Sequence, residues 1–278
     1  MFAVQTTESA AFFEIISNPE SFSALCDVLM LIVTIISVVY AYRAYQHQKD
    51  RCKKETACNL AKYYASNIID KYGDIEYVFN TSGISKIIRD IFPLNKLQEF
   101  DKDELDRLFQ EASLPVKDFE EKLHNIDPMS ILGAQMSRAC TPEERTNMIT
   151  SYTKLDDDGK PKVVNELYLR VDFEREISGL LNELEWFAMN CRYGLADEEL
   201  MYQSLHKTYI STVWMLYYYI SHRNENNEDK LYTNLVWLFI KWRDRLSMIK
   251  QKTEAKRQKH LKKAAALKPK VHEGSPLK

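Results

Sequence analysis

The chain has 278 residues, 45% of them hydrophobic and 28% charged, which is enough to bury a sizeable core. Only 7 Gly and 8 Pro are present, which argues against a many-stranded β fold and favours long helices. The formal net charge is −2, but residues 250–278 hold ten Lys and Arg against two Glu. The remainder is mildly acidic, which argues against a nucleic-acid-binding domain.

An apolar segment lies near the N-terminus, from Phe22 to Tyr42, with Arg43 directly after it. About twenty apolar residues are needed to cross a hydrocarbon core of ~30 Å, so this segment predicts one transmembrane helix. Its single acidic residue, Asp27, lies near the first end, where a carboxylate reaches the headgroups. A cleaved signal peptide and a buried core helix are the alternatives. A signal peptide needs a basic first region, whereas residues 1–21 contain no Lys or Arg.

The flanking charges predict the orientation of this helix. Five basic residues follow it closely: Arg43, Lys49, Arg51, Lys53 and Lys54. By the positive-inside rule we expect an inner (cytoplasmic) membrane protein with residues 1–21 outside and the remainder in the cytoplasm. Asp27 at the outer interface, with Tyr42 and Arg43 at the inner one, are the predicted membrane-interface residues.

Residues 44–124 predict helices that follow the membrane segment directly. Apolar residues at steps of 3 or 4 share one face: Ala61, Tyr64, Ile68, Tyr72, Ile75 and Phe79. No break signal precedes this face, so we expect the first helix to continue to Thr81–Gly83. Shorter helices are predicted at 84–92, 102–112 and 116–123, followed by an irregular connection at 125–162.

Residues 163–250 predict a three-helix core. The first helix ends at Gly194, a residue suited to the left-handed C′ position, and Asp197 caps the second. Short connections imply antiparallel neighbours. The predicted fold class is therefore all-α, with one N-terminal transmembrane helix continuing into a cytoplasmic antiparallel bundle. Residues 251–278 are expected to form a basic, partly disordered tail that contacts anionic lipid, weakly contacts nucleic acid, or only solubilises the chain.

Sequence motifs for catalysis or cofactor binding are missing. The five Cys have no C-x-x-C spacing, and the six His are scattered without ligand spacing. No phosphate-binding loop, H-E-x-x-H site or G-x-S-x-G elbow occurs. We therefore predict no cofactor, no metal and no catalytic residue, and we favour an interaction protein over an enzyme.

One polar stripe is a candidate binding site. Asn182, Glu185 and Arg192 lie on one side of the first core helix, with Glu185 and Arg192 two turns apart and able to bridge through a third group. The functional interpretation is a polar pocket for a ligand or partner peptide. The structural interpretation is a network that fixes helix register, or an exposed charged face.

The same stretch carries a family resemblance. Its elements are Leu181-Asn182 followed by Glu185, then Gly194, an acidic helix start at Asp197-Glu198, and the aromatic-rich stretch 209–219. This pattern resembles a bacterial and phage family of unknown function, number forty-seven-sixty in that series. The resemblance covers about 163–250 and the membrane segment. It implies a single N-terminal transmembrane helix and a bacterial or prophage setting, but no activity.

Three functional hypotheses follow. The first is a membrane-anchored interaction protein, with the bilayer and a protein partner or second copy as partners and no specific nucleic acid. The family setting extends this to phage defence or membrane stress signalling. The alternatives are a ligand sensor or small enzyme using Asn182, Glu185 and Arg192, and an oligomerising membrane-disrupting effector in which Asp27, Thr34 and Ser37 line the assembly.

Overall fold

The computed structural model describes residues 19–138, 141–155, 157–158, 161–225 and 229–266. Helix α1 (Pro19–Tyr63) leads through one π-helical turn (Tyr64–Ile68) into α2 (Ile69–Thr81). The expected uninterrupted helix is therefore confirmed, with the addition of the wider π turn, which buries Tyr64 and Ile68. It ends where the sequence predicts, because Gly83 adopts a left-handed conformation with φ of 75°.

The chain divides into two compact units, residues 1–55 and 56–278. In the first, α1 is long and apolar enough to cross a membrane, and its most apolar 18-residue window has no buried residue. Met30 is 69% exposed and Tyr40 76%. A core helix would hide such side chains in protein, so the core-helix alternative does not fit.

The second unit continues with four helices: α3 (Ile84–Ile91), α4 (Lys102–Glu111), α5 (Val116–His124) and α6 (Pro128–Arg138). The first three begin and end within one residue of the sequence prediction. Asp101 explains the start of α4, because its carboxylate accepts a hydrogen bond from the Glu104 amide at 2.9 Å.

Residues 125–162, for which the sequence predicts an irregular connection, hold regular elements as well. After α6 come α7 (Pro142–Tyr152) and an antiparallel ribbon of β1 (Thr153–Leu155) and β2 (Pro161–Val163). Thr141 and Glu144 form a complete capping box at the start of α7. The capping signal is thus strong enough to start a helix here. Asp156 and Gly159 lie outside the described residues.

The remaining helices are α8 (Glu166–Arg192), α9 (Glu198–Met215), α10 (Tyr217–Arg223) and α11 (Thr233–Ala266), which share one hydrophobic core with the earlier helices of the second unit. The predicted features at the α8–α9 connection are confirmed: Gly194 has φ of 65°, and Asp197 accepts the Leu200 amide at 3.2 Å. One predicted helix is divided at Leu216, which separates α9 from α10.

Antiparallel packing joins these helices. The Tyr64 and Phe187 rings lie 5.0 Å apart and those of Phe79 and Phe173 6.2 Å apart, so the π turn and α2 run antiparallel to α8. Likewise α11 runs antiparallel to α9, since Tyr209 bonds the Leu235 carbonyl and Arg245 pairs with Glu199. The all-α prediction is confirmed, and the short ribbon is a local addition to it.

Buried polar side chains hold the α3–α4 connection against this bundle. Glu104, only 3% exposed, accepts the Gln98 and Glu99 amides at 2.8 and 2.5 Å and the Tyr217 hydroxyl at 2.7 Å. Arg243, 6% exposed, donates to the Leu97 carbonyl and to the Gln98 side chain. Because these buried charges have several partners each, they fix the connection in place.

Candidate functional site

Glu185 of the predicted stripe is a residue of α8, and its side chain contacts the first residues of α11. Its carboxylate accepts hydrogen bonds from the Asn234 amide (3.2 Å), the Asn234 side chain (2.6 Å) and the Leu235 amide (2.8 Å). The first amides of a helix have no partner within the helix, and the helix dipole favours a negative charge there. Glu185 of α8 therefore caps α11 across the helix–helix interface.

Arg192 reaches the same asparagine from two turns away. Its guanidinium donates to Asn234 Oδ1 at 3.1 Å and lies 5.8 Å from the ring centroid of Trp237. The third group that joins Glu185 to Arg192 is thus Asn234. The sequence of α8 could indicate that such a group was needed, but it could not name a residue more than forty positions away.

Asn182 stands apart from this pair. It is exposed, and no side-chain hydrogen bond joins it to another described residue. The structure therefore brings together two of the three predicted site residues. Ligand or partner binding by this stripe stays a prediction, while the capping contact gives Glu185 a structural role in either case.

Cys191 and Tyr209 are buried at the junction of α8, α9 and α11, near Glu185. Burial raises the pKa of the Cys191 thiol to about 12, with Glu198 adding to the effect, so this thiol stays protonated. Burial also raises the pKa of Tyr209 well above its usual range. Its hydroxyl donates to the Leu235 carbonyl at 3.0 Å. These groups stabilise the α8–α9–α11 junction and offer no ready nucleophile.

The predicted membrane-interface residues all lie on α1. Asp27, Tyr42 and Arg43 are exposed within the first unit. Between them, the hydroxyls of Thr34 and Ser37 donate to the carbonyls of Met30 and Val33, each at 2.8 Å. A helix in lipid must satisfy its polar groups internally, and these two hydroxyls do so.

A cleft that sequence reasoning missed lies among α5, α6, α8 and α10. It has a volume of about 270 Å³, and its polar lining includes Glu120, Arg170, Tyr218, His222 and Arg223. The Tyr218 hydroxyl donates to Glu120 at 3.0 Å, and its ring stacks on His222 with centroids 5.5 Å apart. Burial, reinforced by the charge of Glu120, raises the pKa of Tyr218. No local spacing could reveal this cleft, because its residues come from three stretches far apart in the chain, 120–131, 170–174 and 218–223.

The cleft combines both charge signs with aromatic surface, and several of its polar groups already have partners. Arg223 donates to Ser178 at 2.5 Å and to the Tyr232 hydroxyl at 2.9 Å, and Arg170 donates to the His124 carbonyl. Within the described ranges, no group of three or more His, Cys, Asp or Glu is placed to hold a metal ion. The arrangement suits noncovalent contact with a small polar ligand.

Fold and site together define an all-α protein with one exposed apolar helix and a helical domain. A family model, the domain of unknown function DUF4760, matches residues 28–242, and the chain belongs to that family. This confirms the resemblance inferred from the 181–200 pattern. The match begins at Val28 within the apolar part of α1 and ends at Trp242 in the core, so the shared domain includes both. No curated protein and no solved structure matches the chain.

Proposed function

We propose that this chain is a single-pass protein of the inner (cytoplasmic) membrane, anchored by Phe22–Arg43, whose helical domain binds a protein partner or a second copy. One observation carries the anchor: the most apolar window of α1 has none of its side chains buried in protein. Exposed apolar surface costs about 25 cal/mol per Å² in water, and a bilayer removes that cost. The hydroxyls of Thr34 and Ser37, bonded within α1, add no cost in lipid.

The orientation proposed has the N-terminus outside and the helical domain in the cytoplasm. Its support is the charge asymmetry, because five basic residues closely follow the apolar segment and none precedes it. A cytoplasmic domain also fits reduced cysteines, and Cys52, Cys58 and Cys191 are all free thiols.

Membrane anchoring is tested by extraction and flotation of the full chain with a tag at each end. We expect both tags to stay in the membrane fraction after alkaline carbonate and to float together with lipid. A signal sequence is the rival, and it predicts loss of the N-terminal tag from the domain. A chain that carbonate releases intact would overturn the anchor.

Orientation is tested by thiol labelling in spheroplasts with a membrane-impermeant maleimide. In a Cys26→Ser background, Cys52 and Cys58 are exposed reporters beyond the apolar segment, while buried Cys191, with its raised pKa, should stay unreactive. We expect labelling only after the membrane is permeabilised. Adding Ser9→Cys should give labelling in intact spheroplasts, and the reverse pattern would overturn the orientation.

The interaction role is tested by crosslinking in membranes followed by mass spectrometry. Its support is apolar surface that the domain leaves exposed: Leu155 is 73%, Leu167 74% and Tyr168 69% exposed. Phage defence or membrane stress signalling is the setting we propose, from the bacterial and phage character of the family. If the solubilised chain is strictly monomeric and crosslinks to nothing, the interaction role fails. Equal phage plating on strains with and without the chain would remove phage defence.

Ligand sensing is the second candidate, and the cleft near Tyr218 and Glu120 favours it. A volume of about 270 Å³ is close to the ~300 Å³ at which small-molecule sites begin. A metabolite screen by thermal shift tests it. A true ligand should raise the unfolding temperature of the wild type but not that of Arg170→Ala.

A further inference from the structure

Helix α11 packs against the bundle up to Leu246 and is exposed after it. Its first part is buried in the bundle through Leu235, Leu238, Phe239 and Trp242. From Ser247 to Lys263, every residue is exposed. We call Ser247–Lys263 the basic arm. Its seventeen residues extend about 25 Å at the helical rise of ~1.5 Å per residue.

The basic arm carries a concentrated positive charge. Its cations are Lys250, Lys252, Lys256, Arg257, Lys259, Lys262 and Lys263. Its one acid, Glu254, lies 3.9 Å from Arg257 of the next turn. The arm therefore has a formal charge of +6 (seven cations less one acid), in a chain whose total is −2. A polar helix without tertiary contacts is marginally stable in water, so a partner of negative charge would stabilise it.

The basic arm leaves the helical domain at the end where α1 enters it. Buried Ala57 and Leu60 of α1 lead to Tyr64, whose ring lies 5.0 Å from that of Phe187. The Phe187 ring lies 6.3 Å from that of Trp242, the last large buried residue before the arm. Because α11 runs antiparallel to α9, its later residues lie beside Glu199 at the start of α9. The basic arm therefore extends beyond this end of the helical domain.

Chain length puts a membrane surface within reach of the arm. Fourteen residues separate Arg43 from Ala57, so a helical connection limits their separation to about 21 Å. The arm itself extends about 25 Å. The arm is therefore longer than this helical stretch, which is long enough to reach the membrane surface next to Arg43 when the apolar segment is inserted.

We infer that the basic arm binds the anionic lipid surface of the membrane in which α1 is anchored. The inference rests on the proposed anchoring and orientation. Anionic lipids of the cytoplasmic leaflet attract basic segments next to a membrane helix, and attachment to the same chain raises the local concentration of that surface. Nucleic acid is the less favoured partner, because residues 43–249 hold 28 basic against 34 acidic side chains and would repel it.

The test is hydrogen exchange on the full chain reconstituted in vesicles of phosphatidylcholine, alone or with phosphatidylglycerol. We expect amides of the basic arm to exchange at least tenfold more slowly in the anionic vesicles, and high salt should remove the difference. The variant Lys252→Glu, Lys256→Glu, Lys259→Glu and Lys263→Glu should lose this protection. A matched control changes four exposed lysines elsewhere in the domain to Glu (Lys86, Lys117, Lys122 and Lys207) and should keep it.

Flotation of the same samples separates this inference from the anchor. If the chain floats with both vesicle types but its arm exchanges equally fast in both, the inference is wrong and the anchor stands. If the chain floats with neither, the anchor itself is wrong. Protection that is equal in the wild type and the arm variant, or that appears only when an oligonucleotide is added, would overturn lipid binding.

Discussion

Apolar side chains are exposed in the part of α1 before Glu55 and buried in the core of the domain that starts at Thr56. Met30 and Leu31 are 69% and 60% exposed, whereas Trp242 and Tyr209 are fully buried. Their polar groups differ too. Thr34 bonds within its own turn, while Tyr209 bonds a carbonyl 26 residues away. The polar groups of the apolar segment are therefore satisfied within a single helix, whereas those of the domain depend on tertiary contacts.

The largest effect is expected from charge placed in the middle of the apolar segment, which should sharply reduce membrane retention. Val33 and Ile36 are both well exposed in the first unit, and changing both to Lys should cost about 6 kcal/mol of insertion, ~3 kcal/mol each. We expect the membrane-bound fraction after carbonate extraction to fall sharply, while the thermal unfolding of the domain stays the same. Tyr45→Lys with Gln48→Lys adds the same charge beyond the segment and should leave retention intact. Equal retention of the two variants would show that the segment does not lie in lipid.

The complementary change destabilises the domain and leaves the apolar segment of α1 unchanged. Trp242 packs its ring against Phe187, Tyr202 and Tyr209. Trp242→Ala should therefore destabilise the domain by about 3–5 kcal/mol through lost burial and a cavity. Denaturant unfolding followed by circular dichroism measures this. The half-exposed Trp186→Ala is the matched control, with a smaller expected effect. Loss of membrane retention in Trp242→Ala would show that retention depends on the folded domain and not on the apolar segment alone.

A third change removes a buried acceptor. Glu104→Ala leaves the amides of Gln98 and Glu99 and the Tyr217 hydroxyl without their partner. We expect a loss of about 3 kcal/mol in the free energy of unfolding, because unsatisfied buried donors are costly. Glu104→Gln keeps one oxygen acceptor and should lose about half as much. If both variants unfold like the wild type, the buried carboxylate does not organise the α3–α4 connection.

Sequence reasoning could predict what depends on local chemistry. The apolar segment, the left-handed Gly194 and the cap at Asp197 follow from residue type and spacing, and the structure confirms them. What it could not predict depends on contacts between distant residues. Asn234 as the group between Glu185 and Arg192, and the cleft around Tyr218, are made by helices whose neighbours no single-helix pattern specifies.

The smallest changes in the free energy of unfolding are expected for variants of the polar stripe. Glu185→Ala removes the acceptor for the Asn234 and Leu235 amides, and loss of a helix cap typically costs about 1–2 kcal/mol. Arg192→Ala removes an exposed hydrogen bond to Asn234 and should cost less, about 0.5 kcal/mol. Asn182→Ala should leave stability unchanged, because Asn182 has no bonded partner among the described residues. Urea unfolding of the three variants measures the order.

The same variants separate a structural stripe from a binding one. A purely structural stripe predicts that partner crosslinking falls only as far as stability falls, so Asn182→Ala should crosslink like the wild type. A binding surface predicts the opposite for this residue, since an exposed amide that contributes nothing to folding is free to contact a partner. Loss of crosslinking in Asn182→Ala with unchanged unfolding would therefore assign the stripe to recognition, even though Glu185 also caps α11.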